Sequence, residues 1–305
     1  MTTQAGEAFV ANLKTTAAIL GGMLLAFPAL ASPVCATDDL GKEICLEQPA
    51  ERIAALSPGA TELAWAAGAG DQVVAVVAYS DYPPAAKEVT SVGSHTRMDM
   101  ERLLELQPDL VIGWVTGNPT EQLATLREMG VPVFSIEPRS FEAVSDTIER
   151  LSILAGTEAA GFAEAERFRN GITDLRARFS DADPVPVFYQ VWDEPLMTVN
   201  RDHLIGEMIE LCGGDNVFGH LERLVPRISA EAVIAANPEA ILAGGMGEEN
   251  RHWLTRWQSF PSLTATERDN LFFIPPSLVQ RPTPRMLEGT RLFCEKLEVA
   301  RDRRP

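Results

Sequence analysis

The chain of 305 residues is long enough for two domains, and its 46% hydrophobic and 23% charged residues are typical of a folded protein. Its 43 acidic residues outnumber the 26 basic ones and give a formal net charge of −17. This charge argues against binding to nucleic acid or to an anionic membrane surface, because both need clustered lysine and arginine.

Residues 1–31 have the pattern of a secretory signal peptide. Lys14 precedes an apolar run over 19–31 that ends in Ala29-Leu30-Ala31. This run is shorter than the ~20 residues that a membrane-spanning helix needs. We therefore expect cleavage after Ala31 and an exported protein; a retained anchor or a buried helix is the alternative.

The four cysteines contain no C-x-x-C pair, which argues against a zinc ribbon or a thioredoxin-like redox site. Export favours disulfides instead. Cys35 and Cys45 flank the turn sequence Asp39-Leu40-Gly41, so a hairpin centred there would place them opposite each other. Cys212 and Cys294 remain as the second pair, and four buried free thiols are the alternative.

Apolar runs alternate with helical patterns, which predicts parallel sheets covered by helices on both faces. The predicted strands are Ile53–Leu56, Val73–Val77, Leu110–Trp114, Val131–Ile136, Val185–Val191, Ala240–Ala243 and Leu271–Ile274.

Between the two sets of strands lies a proline-free region, Phe141–Phe179. Its second half, Glu158–Phe179, predicts one long amphipathic helix, with a break at Gly156-Thr157. The apolar stripe of that helix comprises Phe162, Ala165, Phe168, Ile172, Leu175 and Phe179. We predict an α/β fold with lobes over 32–140 and 181–305, joined by a connecting helix region over 141–180. One more crossover helix within a single sheet is the alternative.

Two helix–strand units, Asp99–Ile112 and Ser229–Leu242, align without gaps. Each has a helix N-cap residue, a glutamate two positions later (Glu101 or Glu231), an apolar pair, and a proline before a buried strand. This repeat supports two similar lobes, with chance similarity as the alternative.

Four segments, Arg52–Leu63, Tyr79–Pro84, Met98–Trp114 and Cys212–Phe218, resemble in order and spacing the helical-backbone substrate-binding proteins of ABC importers. The resemblance covers about residues 50–298. It implies two α/β lobes bridged by one long rigid helix, with the ligand in the cleft between them, and it supports the Cys212–Cys294 disulfide.

The same resemblance implies a monomer in the periplasm that binds a metal chelate and delivers it to the permease dimer and ATPase of an ABC importer. The chelate would be cobalamin or a related corrinoid, with heme or a ferric siderophore as the alternative. It would be a transported ligand, and we expect no cofactor.

The resemblance places ligand contacts at Gly59, Tyr79, Trp114 and Arg281. Cobalamin-binding members have tryptophan at the positions of His95 and Val225, an aromatic residue at Met197, and acidic residues at Ser277 and Gln280. The ligand set is therefore similar but not identical, and we include His95 and Met197 in it. His95 would either coordinate the metal or only stack on the ring.

Trp192, just after the predicted strand Val185–Val191, is expected to supply the aromatic face of the other lobe. Tyr79, Trp114 and Trp192 fall at or just after the ends of predicted strands, where open α/β sheets bind ligands. Aromatic faces with a few polar groups suit a large planar ligand. Closure of the core by these side chains is the alternative.

Glu101 and Glu231 occupy equivalent positions of the repeat. The resemblance implies that each pairs with arginines on one half of the permease dimer.

An enzyme is not expected, since the sequence contains no G-x-S-x-G, H-E-x-x-H or P-loop motif. An exported metal-dependent hydrolase is the less favoured alternative. His203, His220 and His252 lack metal-ligand spacing and are interpreted as solvent-facing. Ser57 is interpreted as an ordinary helix cap rather than part of an anion site.

Overall fold

The computed structural model of the protein describes residues 33–245 and 247–305, so the predicted signal peptide lies outside the described residues. The described part begins with an antiparallel hairpin of β1 (Val34–Thr37) and β2 (Glu43–Leu46). Cys35 pairs with Cys45 in register, and the two form a disulfide. The disulfide predicted from the turn sequence is therefore confirmed.

The N-terminal lobe contains a four-stranded parallel sheet in the order β4-β3-β7-β8. Its elements are β3 (Ile53–Ala55), α1 (Pro58–Ala66), β4 (Val73–Val76), β5 (Gly93–Ser94), β6 (Arg97–Met98), α2 (Met100–Glu105), β7 (Leu110–Trp114), α3 (Thr120–Glu128) and β8 (Val133–Ile136). The strands are apolar and mostly buried, as expected for a sheet covered on both faces. The Ser57 hydroxyl accepts a 3.0 Å hydrogen bond from the Ala60 amide and is the ordinary cap of α1.

The connecting region forms two helices, α4 (Phe141–Ala155) and α5 (Glu158–Phe179). Gly156 ends α4 in the left-handed conformation at φ 68°, which glycine adopts without steric cost. The predicted bounds of α5 and the break before it are confirmed.

One position of the predicted stripe on α5 is wrong, because Gly161 rather than Phe162 faces the core. A Cβ atom on Gly161 would lie 2.2 Å from the Cβ of Ser152, so its absence lets α5 pack closely on α4. Phe162, one position away, is turned outward and is 44% exposed.

The C-terminal lobe contains a second parallel sheet in the order β10-β9-β11-β12. Its elements are β9 (Val185–Gln190), α6 (Leu204–Leu211), β10 (Gly214–Asn216), α7 (Ala230–Ala236), β11 (Ala240–Ala243), α8 (His252–Gln258), α9 (Thr264–Glu267), β12 (Leu271–Phe273), α10 (Pro276–Val279) and α11 (Met286–Asp302). Strand β10 was not predicted, since glycine, aspartate and asparagine are poor strand formers. Cys212 and Cys294 form the second disulfide, as expected.

The two sheets are separate and have the same topology. If the four strands of each sheet are counted along the chain, they lie side by side in the order second, first, third, fourth. Strands β7 and β11, which belong to the sequence repeat, each occupy the third position in the spatial order of their sheet. Asp99 and Ser229 cap α2 and α7 in the same way, through side-chain oxygens that accept from Arg102 and Ala232 amides. The predicted two-lobed α/β fold is confirmed, whereas the lobe boundaries at 140 and 181 stay a prediction.

A single hydrophobic core joins the lobes through α5. It includes Ile53 of the first sheet, Phe168 of α5 and Val187 of the second sheet. Because close-packed cores resist sliding, this arrangement makes the connection between the lobes stiff. Within 33–245 and 247–305, no helix combines the length and the apolar character that a membrane span requires.

Candidate ligand cleft between the lobes

The three aromatic residues proposed from the sequence lie at carboxyl ends of strands. Trp114 is the last residue of β7, and Trp192 follows β9 by two residues. Tyr79 lies in the loop after β4, with φ 67° and 77% of its surface exposed. Strands β7 and β9, at whose ends Trp114 and Trp192 lie, border the point where the strand order of their sheets reverses, which is the usual ligand position in open α/β sheets. Tyr79 follows β4, which is an edge strand.

In the N-terminal lobe, the structure brings His95 and Trp114 together. Their ring centroids are 5.8 Å apart, and the ring planes are inclined by 42°. The indole also lies against Gly117, where a Cβ atom would come within 1.8 Å of the ring. The two rings therefore form one partly exposed aromatic surface.

Asn118, which was not predicted as a site residue, fixes this surface. Its side-chain amide donates to the backbone oxygens of Leu56 (2.8 Å) and His95 (2.9 Å). Its Oδ1 accepts from the Trp114 amide at 2.6 Å. Asn118 stands between glycine and proline, a pattern that indicated only a turn.

In the C-terminal lobe, Trp192 and Met197 lie opposite each other in a short antiparallel bridge. The Met197 amide donates to the Trp192 carbonyl at 3.1 Å. The Trp192 indole N–H donates to the Glu194 carbonyl at 3.0 Å, and the ring packs edge-on against Trp253. Trp192 is 41% exposed and so keeps a free face.

Arg281 joins the two lobes. Its Nη1 atom lies 2.9 Å from Glu62 Oε1 and 2.9 Å from Asp81 Oδ1, while Nη2 donates to the Tyr79 carbonyl at 3.4 Å. Arg285 also approaches Glu62 Oε1, at 3.4 Å. We call Glu62, Asp81, Arg281 and Arg285 the inter-lobe ion cluster.

Glu62 is the buried centre of this cluster, with 2% of its side chain exposed. Its Oε2 atom accepts from the Thr283 hydroxyl at 2.8 Å, so both carboxylate oxygens have partners in the C-terminal lobe. Gly59, one turn earlier on α1, faces Pro282 and Thr283. Gly59 and Arg281, which were expected to contact ligand, thus also form the contact between the lobes.

The pKa of Asp81 lies below its ordinary value. Partial burial acts to raise it, but the hydrogen bond and the positive charge of Arg281 outweigh that effect. Asp81 is therefore ionised at neutral pH, and the charge of Arg281 is compensated by two carboxylates.

A separate cavity of about 590 Å³ lies between α1, α5 and α11. Its walls include Trp65, Tyr82, Arg167 and Arg285. It contains none of the residues proposed to contact ligand, so the proposed cleft is supported by the placement of side chains rather than by this cavity.

Glu101 and Glu231 lie in the first turns of α2 and α7, and both are exposed. The pKa of Glu231 is lowered because its own backbone N–H and the Ser229 hydroxyl donate to the carboxylate. Glu231 is therefore ionised at neutral pH, and both glutamates are accessible to a partner.

The interpretation of His203 as solvent-facing is wrong. Its Nδ1 atom accepts from the Ile205 amide at 3.0 Å, so the imidazole caps α6. Burial, with a contribution from Arg139, lowers its pKa to about 4. His220 and His252 are exposed, and the described ranges contain no group of three or more His, Cys, Asp or Glu that could hold a metal ion.

Comparison with known proteins agrees with this architecture. The family described as periplasmic binding protein matches residues 53–278. The vitamin B12-binding protein of Vibrio cholerae is 37% identical over 252 residues, which are 83% of this chain and 91% of that protein. The vitamin B12-binding protein of Yersinia pestis is 33% identical over 250 residues, or 82% of this chain and 87% of that protein.

Solved structures extend the comparison. The periplasmic vitamin B12 binding protein BtuF of Vibrio cholerae matches with a TM-score of 0.75 at 37% identity, covering 83% of this chain and 98% of that one. The periplasmic heme-binding protein RhuT of Roseiflexus matches with a TM-score of 0.71 at 26% identity, covering 82% and 99%. The chain therefore belongs to the periplasmic binding protein family.

Proposed function

We propose that this protein captures cobalamin or a related corrinoid outside the cytoplasm and delivers it to an ABC importer. The observation that carries the proposal is that each lobe has a partly exposed surface with an aromatic ring, formed by His95 and Trp114 in one lobe and by Trp192 and Met197 in the other. Both lie at the carboxyl ends of sheets with equal topology. The names of the relatives from Vibrio cholerae and Yersinia pestis support the same ligand.

The chemistry of the surfaces suits a flat metal chelate. Aromatic and thioether side chains offer polarizable apolar contact to a macrocycle, and a few polar groups at the rim fix its orientation. Tyr79, whose side chain is largely exposed beside the inter-lobe ion cluster, is well placed to add one aromatic contact. The stiff connection between the lobes favours a cleft that changes little on binding.

Titration of the purified chain with cyanocobalamin, hemin and a ferric siderophore, followed by calorimetry, tests the ligand. We expect cyanocobalamin to bind most tightly and none of the three to be turned over. Tight binding of hemin without a response to cyanocobalamin would favour the heme alternative. The similarity to the heme-binding protein RhuT is the reason for testing it. Turnover of an ester or phosphoester substrate would favour the hydrolase.

The Trp114→Ala variant tests the surface itself. It should weaken corrinoid binding roughly tenfold, since one aromatic contact contributes about 1 kcal/mol or more. Phe162→Ala is the matched control, because Phe162 is a half-exposed aromatic residue on α5 that belongs to neither surface. Equal affinity of both variants would contradict the proposed cleft.

His95 is proposed to act by stacking, since its ring already packs against Trp114. The His95→Ala variant should bind cyanocobalamin a few fold more weakly without moving its visible absorption bands. A band shift that depends on His95 would instead assign it to the metal.

We further propose that the chain works as a monomer in the periplasm after removal of residues 1–31. Its partners would be a permease dimer and an ATPase, which Glu101 and Glu231 would engage. The lobes would span 32–140 and 181–305.

A further inference from the structure

We infer that Arg227 is a further specificity-determining residue of the proposed cleft, where its guanidinium donates hydrogen bonds to an oxygen acceptor on the rim of the ligand. This inference rests on the proposed function. Arg227 belongs to neither the sequence repeat nor the ligand set expected from the sequence.

The position of Arg227 follows from backbone pairing. Arg227 lies opposite Met197 in an antiparallel bridge, and Met197 lies opposite Trp192 in the next one. The Thr198 amide donates to the Pro226 carbonyl at 3.1 Å, and the Ile228 amide donates to the Leu196 carbonyl at 3.0 Å. These two bonds flank Met197 and Arg227, so the two residues form a non-hydrogen-bonded pair, in which side chains are closest.

Residues directly opposite each other on antiparallel strands project to the same face of the sheet. Arg227 therefore shares a face with Met197 and Trp192, which form the aromatic surface of the C-terminal lobe. Arg227 is exposed. Its guanidinium has no ion-pair or hydrogen-bond partner among residues 33–245 and 247–305.

Two other charged side chains of the proposed cleft are already compensated. Arg281 is held by Glu62 and Asp81. Asp193, next to Trp192, lies 3.3 Å from Arg256 and accepts from Gln190 at 3.0 Å. Arg227 is thus a cation at this face that remains available to a ligand.

The chemical class of the recognised group follows from the guanidinium, which has five N–H donors and no acceptor. A corrinoid offers two kinds of oxygen at its rim, the carboxamide carbonyls and the phosphodiester of the nucleotide loop. Either would form a charge-assisted hydrogen bond with Arg227.

Calorimetric titration of four proteins with cyanocobalamin and with dicyanocobinamide, which lacks the phosphodiester, tests the inference. The proteins are the wild type, Arg227→Gln, Arg227→Lys and Arg178→Gln. Arg178 is an exposed arginine on α5 outside the cleft, so its variant has the same change in net charge. Thermal unfolding confirms that each variant is folded.

We expect Arg227→Gln to bind cyanocobalamin at least about tenfold more weakly than the wild type, because it loses one charge-assisted hydrogen bond. Arg227→Lys should recover part of the loss, and Arg178→Gln should bind within about twofold of the wild type. A loss confined to cyanocobalamin assigns Arg227 to the phosphodiester, whereas an equal loss with dicyanocobinamide assigns it to the carboxamides.

Arg227→Gln with an affinity equal to that of Arg178→Gln would overturn the inference and leave the proposed function standing. A wild-type chain that binds neither corrinoid would overturn the proposed function, and this inference with it.

Discussion

Glu62 of the N-terminal lobe and Arg281 of the C-terminal lobe lie 219 positions apart in the sequence, yet their side chains meet at 2.9 Å in the contact between the lobes. The carboxylate is buried, and Thr283 and Arg285 donate to it as well. A buried charge with several partners is costly to disturb, because loss of one group leaves the others without compensation. The spacing between the lobes therefore depends on a polar contact as well as on the shared core around α5.

The Glu62→Gln variant tests this contact. It keeps the shape of the side chain but removes the charge that Arg281 and Arg285 share, so unfolding should require about 3 kcal/mol less free energy. Urea denaturation of the ligand-free protein measures the change. Glu164→Gln is the control, because Glu164 pairs with Arg167 on the surface of α5 and should cost less than about 1 kcal/mol. Equal stability of the two variants would contradict a structural role for the cluster.

His203 should make the protein less stable in mild acid. Its pKa is about 4 in the folded chain and about 6.5 when unfolded, so the unfolded state binds the proton more readily between these values. Stability should therefore fall as the pH decreases from about 6.5 to about 4, by up to about 3 kcal/mol.

The His203→Asn variant separates this effect from the titration of carboxylates. Asparagine caps helices well but does not titrate, so the variant should lose less stability than the wild type between pH 7 and pH 4. Denaturant unfolding at several pH values gives the comparison, and His252→Asn, at an exposed position, serves as the control. Parallel pH profiles for all three proteins would show that His203 does not titrate as inferred.

The two disulfides should differ in their effect on stability. Cys212 and Cys294 are separated by 82 positions and Cys35 and Cys45 by 10. The chain-entropy relation gives about 4–5 kcal/mol for the longer loop and about 3 kcal/mol for the shorter one. Replacing each pair with alanine and measuring urea unfolding should reveal this order. A larger loss for the Cys35–Cys45 pair would show that local packing, rather than loop length, decides the effect.

Reversal of both proposed docking charges should uncouple binding from transport. The Glu101→Arg, Glu231→Arg protein is expected to bind its ligand with unchanged affinity, since both residues are exposed in the first turns of α2 and α7. It should fail to support ATP-driven uptake into vesicles containing the cognate permease and ATPase, because matched charges set orientation and association rate.

Glu43→Arg with Asp174→Arg provides a control for docking, as it changes the net charge equally at exposed sites on β2 and α5. Wild-type uptake by the Glu101→Arg, Glu231→Arg protein would exclude these residues from the docking surface. Loss of uptake in the control as well would indicate a general effect of charge.

The sequence by itself determined the features that depend on neighbouring residues. Continuous apolar runs predicted the strands of both parallel sheets except β10, and steps of three and four predicted α5 with its bounds. The turn around Leu40 predicted the Cys35–Cys45 disulfide, and the aligned segments 99–112 and 229–242 predicted the equivalence of the lobes. These features follow from backbone periodicity and turn chemistry, which act over a few residues.

Only the tertiary structure decided which side chains meet. Phe162 and Gly161 differ by one position, and the close packing of α5 against Ser152 determines which of them is buried. Glu62, Asn118 and Arg227 have no distinctive local pattern, since a buried carboxylate, a turn asparagine and a cleft arginine look ordinary in the sequence. The partners of Glu62 and Asn118 come from other elements, and those of Glu62 are more than 200 positions away. Such contacts depend on how whole sheets and helices are placed against one another, because the energy of a charge or a hydrogen bond is set by its surroundings in space.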